Sequence, residues 1–290
     1  MSSRPSRPSS SALAVLVRRA ALFPVLALCL TLTGAPPAAA APEAGPEASR
    51  PDAPSVAPAP AAQLATPLAP GLAAYYGGSA EGDLLAALQA AAPDLSPAVL
   101  ARAVGAAGCA VAQGVEVERP LLTVIDYSLP STKPRLWVFD LARRELLHRE
   151  LVAHGKGSGD NYARAFSNVE GSLQSSLGLF RTAGSYYGKN GYSMRLEGLE
   201  EGINHLALPR TIVVHGAPYV SAEFAARWGR LGRSWGCPAL RQEVAREVID
   251  AVKEGSLLFI DHPRDGGLDG SAYLGGSCAG AAAPVKTAAR

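Results

Sequence analysis

The stretch TIVVHGA, residues 211–217, decides the fold. Thr211, Ile212, Val213 and Val214 are all β-branched, and such side chains suit a pleated surface better than a helix. A short apolar run of this kind reads as a buried strand. It ends at His215-Gly216, which stands the histidine at the rim of a sheet. Farther on comes GRSWGCPAL, residues 232–240, where Cys237 sits between a glycine and a proline, 22 positions after His215. A structural cysteine wants a disulfide or an apolar seat. A reactive one wants a turn, backbone N–H groups and a histidine.

Outward from this strand, short apolar runs dominate from residue 120 onward. Residues 121–125, 136–139 and 146–152 are rich in Leu, Val, Ile and aromatics, and the turn at 141–144 joins the last two as a hairpin. Residues 177–182, 192–196 and 257–260 complete the strands. Two helices interrupt them. One covers 221–228, capped by Ser221 and ended by Gly229; the other covers 242–253, with Val244, Val248 and Ala251 on one face and Gly255 after it. Upstream, 81–92 is helical and stopped by Pro93. Ser96-Pro97 then opens a second helix, whose Leu100, Val104, Ala107 and Val111 form the buried face and leave Cys109 off it. The expected class is mainly β, a sandwich or barrel, with a few short helices and an N-terminal helical segment.

Composition narrows the function. Of 290 residues, 48% are hydrophobic, but much of that is alanine near the N-terminus. A net charge of +2 with 6% aromatics provides neither a basic stripe nor a stacking platform, so nucleic acid is not an expected partner. Arg4, Arg7, Arg18 and Arg19 precede an apolar run at 21–32 and then Ala38-Ala39-Ala40-Ala41, the order of a secretory signal peptide. The run is shorter than the roughly 20 residues a spanning helix needs, so any membrane contact is expected only through this signal or an uncleaved anchor. Cys29 follows Leu28, too large for a lipoprotein cleavage site.

The expected organisation is a signal peptide at 1–41 and an Ala/Pro-rich linker at 42–75, in a stretch where residues 36–70 hold ten prolines. A helical segment at 76–118 packs on a catalytic domain at 119–265, and a disordered tail covers 266–290. After cleavage Cys109, Cys237 and Cys278 remain, an odd number, so at least one thiol is free or pairs outside the chain. A Cys109–Cys278 disulfide is disfavoured by the tail. The glycine- and serine-rich stretch between His154 and Leu177 is long for a structureless loop in a compact domain, which marks it as functional or disordered.

In the Ser234-Trp235-Gly236-Cys237-Pro238 turn, Gly236 lets the backbone bend and Pro238 fixes the next dihedral. Such a turn can aim N–H groups at one point as an oxyanion hole, and a thiol beside an imidazolium becomes a thiolate at neutral pH. Spacing alone leaves a catalytic dyad and a structural cysteine equally open. The combination Val214-His215-Gly216-Ala217 with Gly232-Arg233-Ser234-Trp235-Gly236-Cys237-Pro238 resembles the signature of the murein L,D-transpeptidase catalytic-domain family. Asp126 to Thr132 and Ala153 to Gly159 are similar to its proline-containing subgroup, and the likeness spans roughly residues 95–262.

The resemblance implies an L,D-transpeptidase fold and acyl transfer on peptidoglycan stem peptides without a metal or other cofactor. It also implies Cys237 as nucleophile and His215 as base, oriented by the carbonyl of Gly216. The N–H groups of Trp235, Gly236 and Cys237 would form the oxyanion hole. An arginine is common in the family two positions after the cysteine, and a histidine before Gly236; here those positions hold Ala239 and Trp235. The contact to a substrate carboxylate is therefore unassigned. Ser234, Arg233, Arg230, His154 and Ser176 are the candidates for touching substrate.

Three other readings fail. Gly155-Lys156-Gly157 lacks the first glycine and the Ser or Thr of a phosphate loop. Ser234 fits G-x-S-x-G but no strand precedes it, so it braces the turn. His154, His205, His215 and Cys237 lack the short spacing of a zinc site. A non-catalytic wall-binding β domain and another secreted Cys-His hydrolase remain as alternatives.

Overall fold

The computed structural model describes residues 79–262 and 268–275, and the signal-like and Pro-rich stretches lie outside them. Helices α1 (Ser79–Ala91) and α2 (Pro97–Ala112) come first, followed by strands β1 (Leu121–Asp126), β2 (Leu136–Asp140), β3 (Glu145–Glu150) and β4 (Val152–Ala153). Then come β5 (Gly178–Gly188), β6 (Gly191–Gly198), β7 (Val213–Ala217), α3 (Ala222–Trp228), β8 (Ala239–Arg241), α4 (Gln242–Val252) and β9 (Leu257–Asp261). Among the described residues the fold is mainly β with four short α-helices.

All nine strands belong to one sheet, in the order β3-β2-β1-β9-β5-β6-β7-β8-β4. The two end strands, β3 and β4, are separated only by Leu151, so the sheet must curl until its edges meet. The result is a nearly closed barrel, which removes most of the exposed edge. Side chains finish the seam. The buried guanidinium of Arg135, just before β2, donates to Val152 O at 2.8 and 3.0 Å. Arg241, at the end of β8, grips the Glu150 carboxylate through two bonds of 2.8 and 2.9 Å.

Most pairs are antiparallel; β1–β9 and β7–β8 are parallel. Strands β1, β7 and β9 are buried along nearly all their length, which accounts for their largely apolar composition. Trp137, Phe139, Phe180, Phe259 and Leu122 fill the main core. Each fully buried side chain of this size stabilises the fold by roughly 1.5–3 kcal/mol. A second, smaller cluster comprises Ala153 of β4, Ala217 of β7 and Ala239 of β8 with Val220 and Leu231.

The helices depart from the expected faces. In α2, Val99, Leu100, Ala103, Val104, Ala106, Ala107, Cys109 and Ala110 are all buried while Val111 is only partly so. Cys109 therefore lies inside the packed arc, and it is disulfide-bonded. Its partner lies outside the described residues, as does Cys278. In α4 the buried residues are Ala245, Val248, Ile249 and Val252, with Val244 and Ala251 at the flank. At α3 the expectation matches: the Ser221 hydroxyl accepts from Phe224 N–H at 3.1 Å, and Gly229 closes the helix at φ 67°. Part of the expected tail, residues 268–275, lies among the described residues. Leu268 and Tyr273 are buried, and the Ser271 hydroxyl donates to the Glu200 carboxylate.

Candidate active site

Strand β8 begins two residues after Cys237 and lies parallel to β7, with His215 beside Ala239. This register brings the cysteine turn to the end of the histidine strand. The sulfur accepts Val213 N–H at 3.5 Å, and the thiol donates to Thr211 O at 3.7 Å. Val213 and His215 are one pleat apart, about 7 Å along the strand. Both side chains are largely buried, His215 at 4% exposure and Cys237 at 9%. Among the described residues Cys237 is the free cysteine.

The His215 ring has a defined tautomer. Nδ1 lies 2.9 Å from Gly216 O, and a carbonyl only accepts, so Nδ1 carries the proton and Nε2 the lone pair. No hydrogen bond joins Nε2 to the sulfur. Burial holds the His215 imidazolium below its ordinary range, with the Gly216 bond pulling partly back. Burial likewise pushes the Cys237 thiol up, opposed by Val213 N–H, the charge of Arg210 and its own N–H. Burial thus favours the neutral form of both the thiol and the imidazole.

The turn is built around Ser234. Its hydroxyl donates to Cys237 O at 2.6 Å and accepts Gly236 N–H at 3.1 Å, so it braces the bend. Gly236 N–H is thereby engaged, whereas those of Trp235 and Cys237 donate to no other residue among those described. Gly236 has φ 126°, a region that L-residues rarely adopt, and a Cβ there would sit 2.8 Å from Gln174 O.

The long loop is stitched to this turn instead of hanging free. Lys156 N–H donates to Ser234 O, and Ser234 N–H donates to His154 O. The Ser175 hydroxyl accepts Gly155 N–H and donates to Gly236 O, both at 3.0 Å. Ser175 N–H in turn donates to Ser158 Oγ. A Cβ on Gly155 would lie 2.4 Å from Leu173 O and 2.8 Å from Gly236 Cα, so only glycine fits between loop and turn.

The remaining candidates for substrate contact lie as follows. His154 is fully buried; its Nδ1 accepts from Arg135 at 2.7 Å and Nε2 donates to Gly159 O at 3.4 Å. Burial and then the Arg135 charge lower its pKa to about 3. Ser176 is 2% exposed, with its hydroxyl donating to Ser167 O and accepting from Arg210. Neither side chain faces open solvent. Arg233 donates to Gly159 O and pairs with Asp160 at 2.8 Å, while Arg230 donates to Leu231 O. Trp235 is 73% exposed and sits under the Lys156 ammonium. Among the described residues no group of three or more His, Cys, Asp or Glu is arranged to hold a metal.

Residues 91–260, more than half of the chain, match the family described as the L,D-transpeptidase catalytic domain. The chain belongs to this family. Among solved structures, the L,D-transpeptidase fold resembles LD transpeptidase LdtMt1 in complex with imipenem (16% identity, TM-score 0.30, 49% of this chain and 59% of that one). It also resembles an L,D-transpeptidase from Mycobacterium smegmatis (16%, 0.30, 49% and 58%). A third is the helical cell shape determining protein Pgp2 from Campylobacter jejuni (10%, 0.33, 51% and 50%). The chain thus spans half to three-fifths of the length of these proteins. No curated protein matches it. Among the described residues no helix is long and apolar enough to cross a membrane.

Four residues in or behind the candidate site were not picked out from the sequence: Arg210, Tyr127, Ser175 and Arg135. Tyr127 is fully buried, under the Arg135 guanidinium at 4.9 Å, and burial pushes its pKa to about 12.

Proposed function

We propose that this chain is an exported peptidoglycan L,D-transpeptidase with Cys237 as nucleophile and His215 as general base. The donor is a stem tetrapeptide. His215 Nε2 takes the thiol proton, directly or through one water, as the sulfur attacks the carbonyl of the third residue, a diamino acid. The oxyanion then forms beside the N–H groups of Trp235 and Cys237. Each such donor contributes on the order of 3 kcal/mol to the transition state. Nε2–H next protonates the departing D-alanine amine, leaving a thioester. An acceptor amine attacks the thioester, His215 removes its proton and returns it to sulfur, and the cross-link is free. Water as acceptor makes the same enzyme an L,D-carboxypeptidase. The 155–176 loop covers the donor strand and limits water.

The observation that carries this reading is the His215 tautomer: Gly216 O holds the proton on Nδ1 and leaves Nε2 basic, on the strand whose Val213 N–H binds the sulfur. Neutral starting partners suit the chemistry, because charge then develops only where donors await it. Incubation with purified stem tetrapeptide and an amine acceptor, followed by product analysis, tests the proposal. Wild type is expected to release D-alanine and form the cross-link, and Cys237→Ala to do neither. Equal turnover by both proteins would refute it.

A further inference from the structure

Arg210 lies in the turn before β7 and is half-buried. Its Nη1 donates to Ser167 O at 2.7 Å and Ser176 Oγ at 2.6 Å; its Nη2 donates to Gln174 O at 2.7 Å and Ser172 Oγ at 3.3 Å. All four acceptors are neutral, and all lie on the 167–176 limb of the long loop. Among the described residues no carboxylate comes within ion-pair distance of this guanidinium. Its charge is unspent, in surroundings where a field is less screened than in water.

That charge lies against the cysteine turn. A Cβ on Gly236 would sit 3.6 Å from Arg210 Nη2 and 2.8 Å from Gln174 O, the oxygen that Nη2 itself holds. The residue after Arg210, Thr211, accepts the Cys237 thiol. The other groups around the sulfur are neutral or paired. His215 on β7 is neutral. Tyr127, after β1, and Tyr219, before α3, are each pushed to about 12, chiefly by burial. Arg233 is paired with Asp160, and Arg135 lies behind Tyr127. Lys156 lies out over the exposed Trp235 ring.

We propose that Arg210 is a positioning residue for the nucleophile: its unpaired guanidinium supplies the positive field in which the Cys237 sulfur ionises, and loop residues 167–176 hold it there. Reactivity of the sulfur is thereby coupled to seating of the loop. The inference rests on Cys237 being the nucleophile.

The test is the pH dependence of iodoacetamide alkylation at Cys237, followed by peptide mass spectrometry on the full chain. Arg210→Gln removes the charge and Arg210→Lys keeps it while losing the fork. Arg210→Gln is expected to raise the midpoint by about one pH unit and slow alkylation about tenfold at pH 7.5, because the thiolate is the reacting form. Arg210→Lys is expected to keep the midpoint while amide exchange in 167–176 accelerates. An unmoved midpoint in Arg210→Gln, or an equal rise in both variants, would overturn the proposal and leave Arg210 as a loop clasp. Should Arg210→Gln not fold, Arg210→Lys decides alone: a retained midpoint supports the field, a full-unit rise refutes it. The readout needs no substrate, so failure of acyl transfer in wild type would count against the proposed function and not against Arg210.

Discussion

Two histidines in this chain have nearly the same local setting and opposite capacities. His154 follows β4 and precedes Gly155; His215 ends the apolar part of β7 and precedes Gly216. Both are buried and both are held neutral. His154 has spent both ring nitrogens, one on Arg135 and one on Gly159 O. His215 has spent only Nδ1, on Gly216 O. A histidine with both nitrogens engaged is part of the scaffold, while one with a free Nε2 can move a proton. The difference is set by what the fold packs beside each ring: an arginine that closes the barrel seam beside His154, a cysteine turn beside His215.

The comparison breaks most sharply on activity. His215→Gln is expected to lower the acylation rate 10²- to 10⁴-fold, the usual worth of a positioned general base, with the melting temperature little changed. Stopped-flow thioester formation against thermal unfolding separates the two. If rate and stability fall together, His215 is scaffold as well.

His154→Leu should invert that pattern. It leaves the fully buried Arg135 short of an acceptor, which costs roughly 2–3 kcal/mol. That lowers the melting temperature by on the order of 6 °C in a domain of this size. The pH dependence sharpens the prediction. The folded-state pKa of His154, about 3, lies below its ordinary 6.5, so the unfolded chain binds a proton that the folded chain refuses. This stability is complete above pH 6.5 and declines as pH falls toward 3. The His154→Leu variant has nothing to titrate at this position, so the stability gap between it and wild type should narrow on acidification, as read by urea midpoints. A gap that widens would contradict the assignment.

Much of the barrel is legible in the sequence because its strands are buried runs of β-branched and aliphatic residues. What escapes detection is short or arrives from afar. Strand β8 has three residues and begins after Pro238, too little for any period to register. The break at Leu151 is invisible, since residues 146–152 read as one strand while the chain changes partners from β2 to β8. Cys109 defied a narrow helical stripe because α2 is buried over a wide arc. At the candidate site, Cys237 and His215 stand out in the sequence through a glycine-bounded turn and a strand end. Arg210, Ser175 and Tyr127 carry no local signature; only the closed barrel and the folded loop bring them to the sulfur.

The smallest effect is expected at the rim. Arg233→Ala removes an ion pair with the exposed Asp160 and a bond to Gly159 O. Exposed pairs contribute about 0–1 kcal/mol, so stability should change by less than that. A change of KM with kcat intact would show that Arg233 meets substrate, while unchanged kinetics would leave it as surface.

The most direct test of the central claim is intact-mass and peptide-mapping analysis of the full chain quenched in acid during turnover of stem tetrapeptide. The expected result is an adduct equal to the tetrapeptide less D-alanine, carried by the peptide that contains Cys237 and absent from Cys237→Ala. An adduct on another residue, or turnover with an unmodified Cys237 under conditions that trap thioesters, would contradict it.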